Sequence, residues 1–457
     1  MKRFSILLIL ILTALLYGCN ILSQNSKSKA PPPDWVKTKP VSAMYYTGIG
    51  SASKIGFAPA DYTQTAQQQA LGDLSREISV NISSASVLSI MENNYNINSN
   101  WSSEIKASSD MFLEGYELVE TWENKEYYWV YYRLSKEKHA SLKSQRKNQA
   151  INEALLKFNE GKKQHVNNAL FEAFSFYADA LSVLKPYMAE STETEIDGVK
   201  TDIAQEVFTA MIGIVQSVQI NFIKTDITVK RGIPVPAEYK TFYVVNAQNQ
   251  PLSNIPVEFS LSTGGLIQNR YVSDNQGRVV CDINKINSSN KNETLSVWPD
   301  MQTWSRLTKD PLVRNIIRQI PVSKKLVLLH VEKPNFFISS VEKNFNQIVE
   351  QTMLRDAMQG ALAAENGIVH SIEDADFSIY IESNSVKKPK THYNEEASVE
   401  MTISVKDSKS DLIYQKMFTA DGEGNDAAEA TREAYKEASN IITRRVSKEI
   451  AGQLFAN

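Results

Sequence analysis

The sequence predicts an α+β multidomain protein: an N-terminal α/β sandwich with a helical hairpin, a β-sandwich, and a C-terminal antiparallel sheet packed with helices. Three observations lead there. Stretches such as "KEYYWVYYRLS" and "ASVEMTISVKD" alternate apolar and polar residues with period two, the pattern of half-buried strands. Ala66, Ala70, Leu74 and Ile78 recur at four-residue spacing, as do Ala430, Ala434, Ala438, Ile442, Val446, Ile450 and Leu454; each stripe marks a helix with one buried face. At 457 residues, 42% hydrophobic and 22% charged, the chain is long and apolar enough for several separate cores.

Residues 1–18 are expected to be a lipoprotein signal peptide. Lys2 and Arg3 give a basic start, and Phe4 to Tyr17 is an almost unbroken apolar run, shorter than the ~20 residues of a comfortable membrane span. The run ends at Leu16-Tyr17-Gly18-Cys19, which resembles the bacterial lipobox, where the signal is cut before cysteine and the thiol is acylated. On that resemblance Cys19 opens the mature chain and is its lipid attachment site, carrying acyl chains such as palmitate. The alternatives are an ordinary secreted protein with an incidental Cys19, or a disulfide from Cys19 to Cys281. Two cysteines in a chain this long make no disulfide framework. Residues 19–33, polar and then proline-rich at Pro31 to Pro33, are expected to be a tether without a core. A formal net charge of −3 and the lack of a long basic patch argue against nucleic acid as a partner.

Residues 34–135 are expected to fold as one α+β domain. Tyr45 and Tyr46 begin a strand, and Gly48 and Gly50 form the turn after it. The Ala66 stripe supplies a helix with Asp61 at its cap. Strands at "ISVNISSAS", "MFLEGYELVETWE" and "KEYYWVYYRLS" complete an antiparallel sheet, the last two reversing at Asn124-Lys125. In such a strand Tyr128, Val130 and Tyr132 face one way and Tyr127, Trp129 and Tyr131 the other, so one set packs on the helix and the other is free to meet a partner. A Pro-x-Trp start, then "YYTGIG", then an alanine-rich helix ending in "LSREISVNISS" resembles the LPP-twenty family of bacterial lipoproteins. Trp35, Tyr46, Gly48, Gly50, Ala66, Ala70, Leu74, Ile78 and Val80 carry the likeness. The resemblance implies a cell-envelope lipoprotein, often of the outer membrane, with no established enzymatic activity and motif residues that serve packing and turns.

Residues 136–222 are expected to be a helical spacer, with two amphipathic helices either side of Gly161 and a third over "TDIAQEVFTAMIGIVQSVQI". Ala173, Tyr177, Ala180 and Pro186 partly resemble the second helix of a tetratricopeptide repeat, but a lone unit has nothing to stack on, and a hairpin is the reading. Residues 223–324 change to short strands broken by Asn-Gln-Pro, Gly264-Gly265 and Asp274 to Gly277, the rhythm of a β-sandwich. "PLSNIPVEFSLSTGG" and "VSDNQGRVVCDI" resemble bacterial Ig-like (immunoglobulin-like) domains of the invasin and intimin type, through Pro256, Val257, Phe259, Gly264, Asp274 and Gly277. That resemblance implies Val257 and Phe259 pointing inward, a hairpin turn at Gly277 and Cys281 in the core. Residues 325–457 run strand, helix, strands, helix. "KKLVLLHV" is the first strand, "VEKNFNQIVEQTMLRDAMQGALAAENG" a helix stopped by Gly367, and the last helix starts at Asp426 with Glu429 as a capping box.

Nothing along the chain assembles chemistry. His139, His165, His330, His370 and His392 are too scattered in sequence for metal-ligand spacing. Neither a nucleophile elbow nor a phosphate loop is present, and Gly422-x-Gly424 before a helix lacks the third glycine and a lysine. Glu373, Asp374 and Asp376 lack the glycine of a calcium loop. No catalytic, cofactor-binding or metal site is expected, and no enzyme. The expectation is a lipid-anchored lipoprotein of the outer membrane facing the periplasm, a structural or assembly scaffold whose partners are the membrane, through its N-terminal lipid, and other envelope proteins. A surface-exposed, adhesin-like binding protein using the immunoglobulin-like domain is the alternative, and an envelope hydrolase a more distant one.

Overall fold

The computed structural model describes residues 31–78, 83–97, 113–264, 266–389 and 394–455. The signal, Cys19, most of the tether, Val80, Gly265 and His392 lie outside the described residues. The chain divides into two compact units. The first is made from the chain up to Asn94 with Asn98–Ala154 and Val183–Ala204, and the second from Tyr95–Ile97, Leu155–Ser182 and Gln205 onward.

The first unit opens with a short helix α1 (Asp34–Lys37), then β1 (Tyr45–Ser53), α2 (Pro59–Glu77), α3 (Val87–Tyr95), β2 (Glu117–Glu123) and β3 (Tyr127–Ser135). The strands form an antiparallel sheet in the order β1-β3-β2, with α2 laid on one face. Gly48 and Gly50 sit in the middle of β1, not in a turn. A β-carbon on Gly50 would lie 2.0 Å from the Ala66 carbonyl oxygen, and one on Gly48 2.2 Å from that of Ala70. The glycines therefore let the helix backbone approach the strand, and the turn falls at Gly56, with φ +81°. α2 begins at Pro59 rather than at an Asp61 cap; Asp61 lies inside its first turn. Of the strand expected over "ISVNISSAS", residues 83–86 are a turn, with Ser86 N–H bonded to the Ser83 carbonyl. They lead into α3, which buries Val87, Leu88 and Met91.

The segment expected to be a purely helical spacer is mixed. α4 (Lys136–Val166) runs unbroken through Gly161. Glycine is needed there because a β-carbon would lie 2.4 Å from the Tyr177 ring. The helix ends instead at Asn168, whose φ of +62° stops the chain's right-handed turn. α5 (Leu170–Leu184) follows, then a hairpin of β4 (Glu193–Ile196) and β5 (Val199–Asp202), then α6 (Ile203–Ser217). The Asp202 carboxylate closes the hairpin by accepting from Thr192 N–H at 2.7 Å and Thr192 Oγ1 at 2.8 Å.

In the second unit β6 (Gln219–Phe222), β7 (Asp226–Lys230), β8 (Thr241–Val245), β9 (Pro256–Leu261), β10 (Arg270–Val272), β11 (Arg278–Val280), β12 (Asn292–Pro299) and β13 (Lys325–Glu332) make two sheets, ordered β10-β9-β12-β13-β7 and β11-β8-β6. Phe242 of one meets Phe259 of the other at 4.9 Å between ring centres. Val257, Phe259 and Cys281 are buried. Burial pushes the Cys281 thiol up to about 12. β13, expected in the C-terminal domain, pairs instead with β12 and with β7, because its alternation buries Val327 and Leu329 in this core. The stretch around "WPDMQTWSRLTKDPLVRNII" holds α7 (Met301–Trp304) and α8 (Pro311–Gln319), capped by the carboxylates of Asp300 and Asp310.

The C-terminal sheet starts later than expected, with β14 (Asn335–Asn344) and β15 (Gln347–Ile348). After them come α9 (Met353–Leu362), β16 (Gly367–Val369), β17 (Phe377–Lys387), β18 (Glu395–Asp407), β19 (Leu412–Gly424), α10 (Ala427–Ile441) and α11 (Ser447–Phe455). The helix expected over 341–367 is confined to α9; Gly367 begins a strand instead of ending a helix. β14 and β17 are parallel, joined across α9, while β17, β18 and β19 are antiparallel. Thr352 provides no side-chain cap for α9. Glu342 reaches over from β14 and accepts from Leu354 N–H at 3.1 Å and Arg355 N–H at 3.2 Å. Burial raises that carboxyl above the ordinary range.

The final stripe from Ala430 to Leu454 is buried along its whole length. Each four-residue step overshoots an α-helical turn by ~40°, so an unbroken α-helix would rotate the stripe off the sheet. A π-helical segment at Ile442–Val446, with its wider turn, keeps Ile442, Val446 and Ile450 on the core side.

Candidate functional site: the aromatic face of the N-terminal sheet

β3 presents two different faces. Val130 and Tyr132 are buried, packing with Ala52, Ala66 and Ala70 under α2. Tyr127, Trp129 and Tyr131 point away from the helix, as the alternation predicts. Trp122 of β2 lies opposite Trp129, with ring centres 5.0 Å apart, and Tyr127 lies 5.4 Å from Trp129. Trp35 packs 5.6 Å from Tyr131, and its indole N–H donates to the Glu120 carboxylate at 2.7 Å. The chain thus enters the fold on this face. Arg133 is bonded to Glu117 at 3.0 Å and lies 4.6 Å over the Tyr45 ring.

The free edge of β1 is closed by side chains that sequence reading overlooked. Gln69, Asp73 and Glu77 follow one another at four-residue spacing on α2 and accept from Ser51, Ile49 and Thr47 N–H at 3.3, 3.0 and 2.9 Å. Four residues of helix rise ~6 Å and two of strand ~6.8 Å, so the two ladders stay in step. Lys39 bridges Asp73 at 2.8 Å and Glu77 at 3.3 Å. The signal was present as polar residues spaced like the alanine stripe, but its partners are backbone groups and leave no trace in sequence.

Burial works to raise the Asp73 carboxyl, yet Lys39 and the Ile49 N–H outweigh it and the pKa is lowered. A carboxyl lowered on folding stabilises above its unfolded pKa and loses that contribution as pH falls through the folded value. Asp73→Ala should therefore cost about 1–3 kcal/mol at neutral pH, read from urea denaturation. The gap to wild type should close in acid.

The other residues considered from sequence have structural explanations. His139 is buried edge-on to Tyr46, and burial, with Lys143 nearby, lowers its pKa. His165 and His370 are exposed. His330 contacts Asn292 at 2.8 Å and Asp226 at 2.7 Å. Asp376 pairs with Lys230 at 3.0 Å and accepts from Asn335 N–H at 2.8 Å, apart from the short turn that holds Glu373 and Asp374. Gly422 and Gly424 lie within β19 and admit the α10 backbone, since a β-carbon on Gly422 would fall 2.2 Å from Ala434 N. Asp426 caps the helix as expected, accepting from Glu429 N–H, but the Glu429 carboxylate reaches past the cap residue to accept from Asn425 N–H, so the box closes one residue early. Among the described residues no group of three His, Cys, Asp or Glu could hold a metal ion, and no helix is long and apolar enough to cross a membrane.

Three solved structures resemble part of the chain. The hypothetical protein CT253 from Chlamydia trachomatis is 13% identical over 28% of this chain and 100% of that one, with a TM-score of 0.21. A minor lipoprotein from Acinetobacter baumannii is 12% identical over 27% of this chain and 94% of that one, at 0.20. Lipoprotein GNA1162 from Neisseria meningitidis is 8% identical over 26% and 99%, at 0.18. No curated protein matches. Residues 33–132, which hold the sheet and helix of this site, match the LPP20 lipoprotein family model and mark this part of the chain as that of an envelope lipoprotein.

Proposed function

We propose that the protein is a non-enzymatic lipoprotein anchored through acylated Cys19 to the outer membrane of a diderm bacterium, with its folded units in the periplasm acting as a scaffold for other envelope proteins. One observation carries the reading: the family match begins at residue 33, directly after a lipobox-like Leu16–Cys19 junction and a polar tether. The lipid would supply the membrane attachment. Several acyl chains on one residue hold firmly where a single chain holds only marginally. Asn20 after the cysteine, in place of aspartate, favours passage to the outer membrane. The two-sheet sandwich supports a second reading, a surface-exposed binding protein, because inward Val257 and Phe259 fit the immunoglobulin-like pattern; the turn at Gly277 (φ +71°), expected to close a hairpin, instead carries the chain from β10 of one sheet to β11 of the other.

Cells fed a labelled fatty acid should mark the wild-type protein and leave Cys19→Ala unmarked. Equal labelling of both would end the anchored reading. Protease added to intact cells separates the membrane faces: protection supports the periplasm, and rapid loss supports the surface.

A further inference from the structure

We propose that the aromatic face of the N-terminal sheet, with the apolar turn at its end, docks on the bilayer surface in the layer between headgroups and acyl chains. This rests on the anchored reading above, because the lipid on Cys19 brings the face to a membrane.

The turn after β1 is the first observation. Ile55 is 68% exposed and Phe57 61%, two residues apart about Gly56. The turn itself is held in place: Lys54 N–H donates to the Glu126 carbonyl at 2.7 Å, and Lys54 Nζ to Glu123 at 2.9 Å and to the Asn124 carbonyl at 3.2 Å. Two large apolar side chains are therefore presented at a fixed tip, at the Tyr127 end of the sheet, where Tyr127 is itself 42% exposed. Neither helps form the turn, which closes through Ser53 and backbone groups.

The make-up of the face is the second observation. Trp122, Tyr127, Trp129 and Tyr131 have an apolar ring and a polar N–H or O–H, the combination that favours the membrane–water boundary, while Trp35 is buried against Tyr131 and supports them from within. Adjacent rings are tilted by 35° to 51°, so they form a cluster, not the flat shelf that stacks a sugar. On this face the Glu117 carboxylate is paired with Arg133, and the Glu120 carboxylate accepts from the Trp35 indole N–H.

Where the outlying chain joins the fold is the third. From Cys19 the tether reaches the sheet at Trp35, on this face, while α2 covers the other. Fully extended it spans roughly 55 Å. A lipid at Cys19 therefore keeps the domain within that reach of the bilayer, with the chain leaving the fold from the aromatic face and not from the α2 side.

The test uses residues 20–457, made without the acyl group, and vesicles of phosphatidylethanolamine and phosphatidylglycerol. Co-sedimentation and a blue shift of tryptophan emission should both report binding. Ile55→Ser with Phe57→Ser should weaken the partition roughly tenfold or more, while Met417→Ser, at a position 68% exposed on the C-terminal sheet, should leave it unchanged. A wild-type chain that stays in the supernatant overturns the proposal, as does a double variant that binds like wild type, or a Met417 variant that is equally weakened. The result is independent of acylation: loss of fatty-acid labelling at Cys19 removes the anchor, and loss of vesicle binding removes only the docking face.

Discussion

Valine in place of Gly50 is expected to unfold the N-terminal sheet-and-helix layer. At this point α2 and β1 are separated by backbone alone. A β-carbon on residue 50 would lie 2.0 Å from the Ala66 carbonyl oxygen and 2.3 Å from the Ala70 amide nitrogen. Neither atom belongs to a side chain that could rotate away, so the helix must lift from the sheet. Lifting it opens the core of Ala52, Ala66, Ala70, Val130 and Tyr132 and draws Gln69, Asp73 and Glu77 off the β1 edge. A loss of about 3 kcal/mol or more is expected, the upper end for overpacking at a site that cannot give. Urea denaturation followed by circular dichroism reads it. Gly72→Ala is the control, since Gly72 lies in α2 with open space around it. That change should be neutral or stabilising by up to about 1 kcal/mol. A Gly50 variant within 1 kcal/mol of wild type would mean that helix and strand can move apart cheaply.

Trp304→Ala is expected to be as damaging in the second unit. Trp304 is fully buried, with Phe171 at 5.3 Å and Phe174 at 4.7 Å, both meeting it edge-on at 89°. Its indole N–H points at the Pro256 carbonyl at 3.4 Å. Removing the ring takes away two aromatic pairs and leaves a cavity between α5 and the sandwich, for a loss of about 3–5 kcal/mol. Trp304→Phe should lose clearly less, because it keeps most of the packed volume. Equal losses for the two variants would assign the effect to the N–H contact instead of the ring. The near-ultraviolet circular dichroism of the Trp304→Ala variant should also weaken, since the indole is gone and two phenylalanine rings lose their fixed surroundings.

Periodicity was legible wherever it was strong. The Ala66 and Ala430 stripes, the β3 alternation and the β17–β19 run all describe the surface a segment turns to its immediate neighbour, and that is encoded locally. The aromatic outer face of β3 could be read for the same reason: alternate residues of a strand face opposite ways whatever lies beyond them. Cys19, by contrast, was singled out through resemblance to a processing signal, and its part in the protein rests on chemistry outside the fold.

Other features depended on partners distant in sequence. Gly48, Gly50, Gly161, Gly422 and Gly424 carry the same local signal as turn glycines. Only the approach of an alanine backbone or the Tyr177 ring shows that they lie inside strands or a helix. Lys325–Glu332 alternates equally well for either of two sheets, and pairing with β12 and β7 decides between them. Asn335–Asn344 joins its sheet in parallel through a crossover helix, a choice of neighbour that no local pattern records. Where its periodicity was strong, the sequence by itself therefore determined which residues are buried and in which kind of element, because side-chain hydrophobicity acts along the chain. Tertiary structure decided which elements meet and how closely, because backbone contacts and strand pairing form between groups common to every residue.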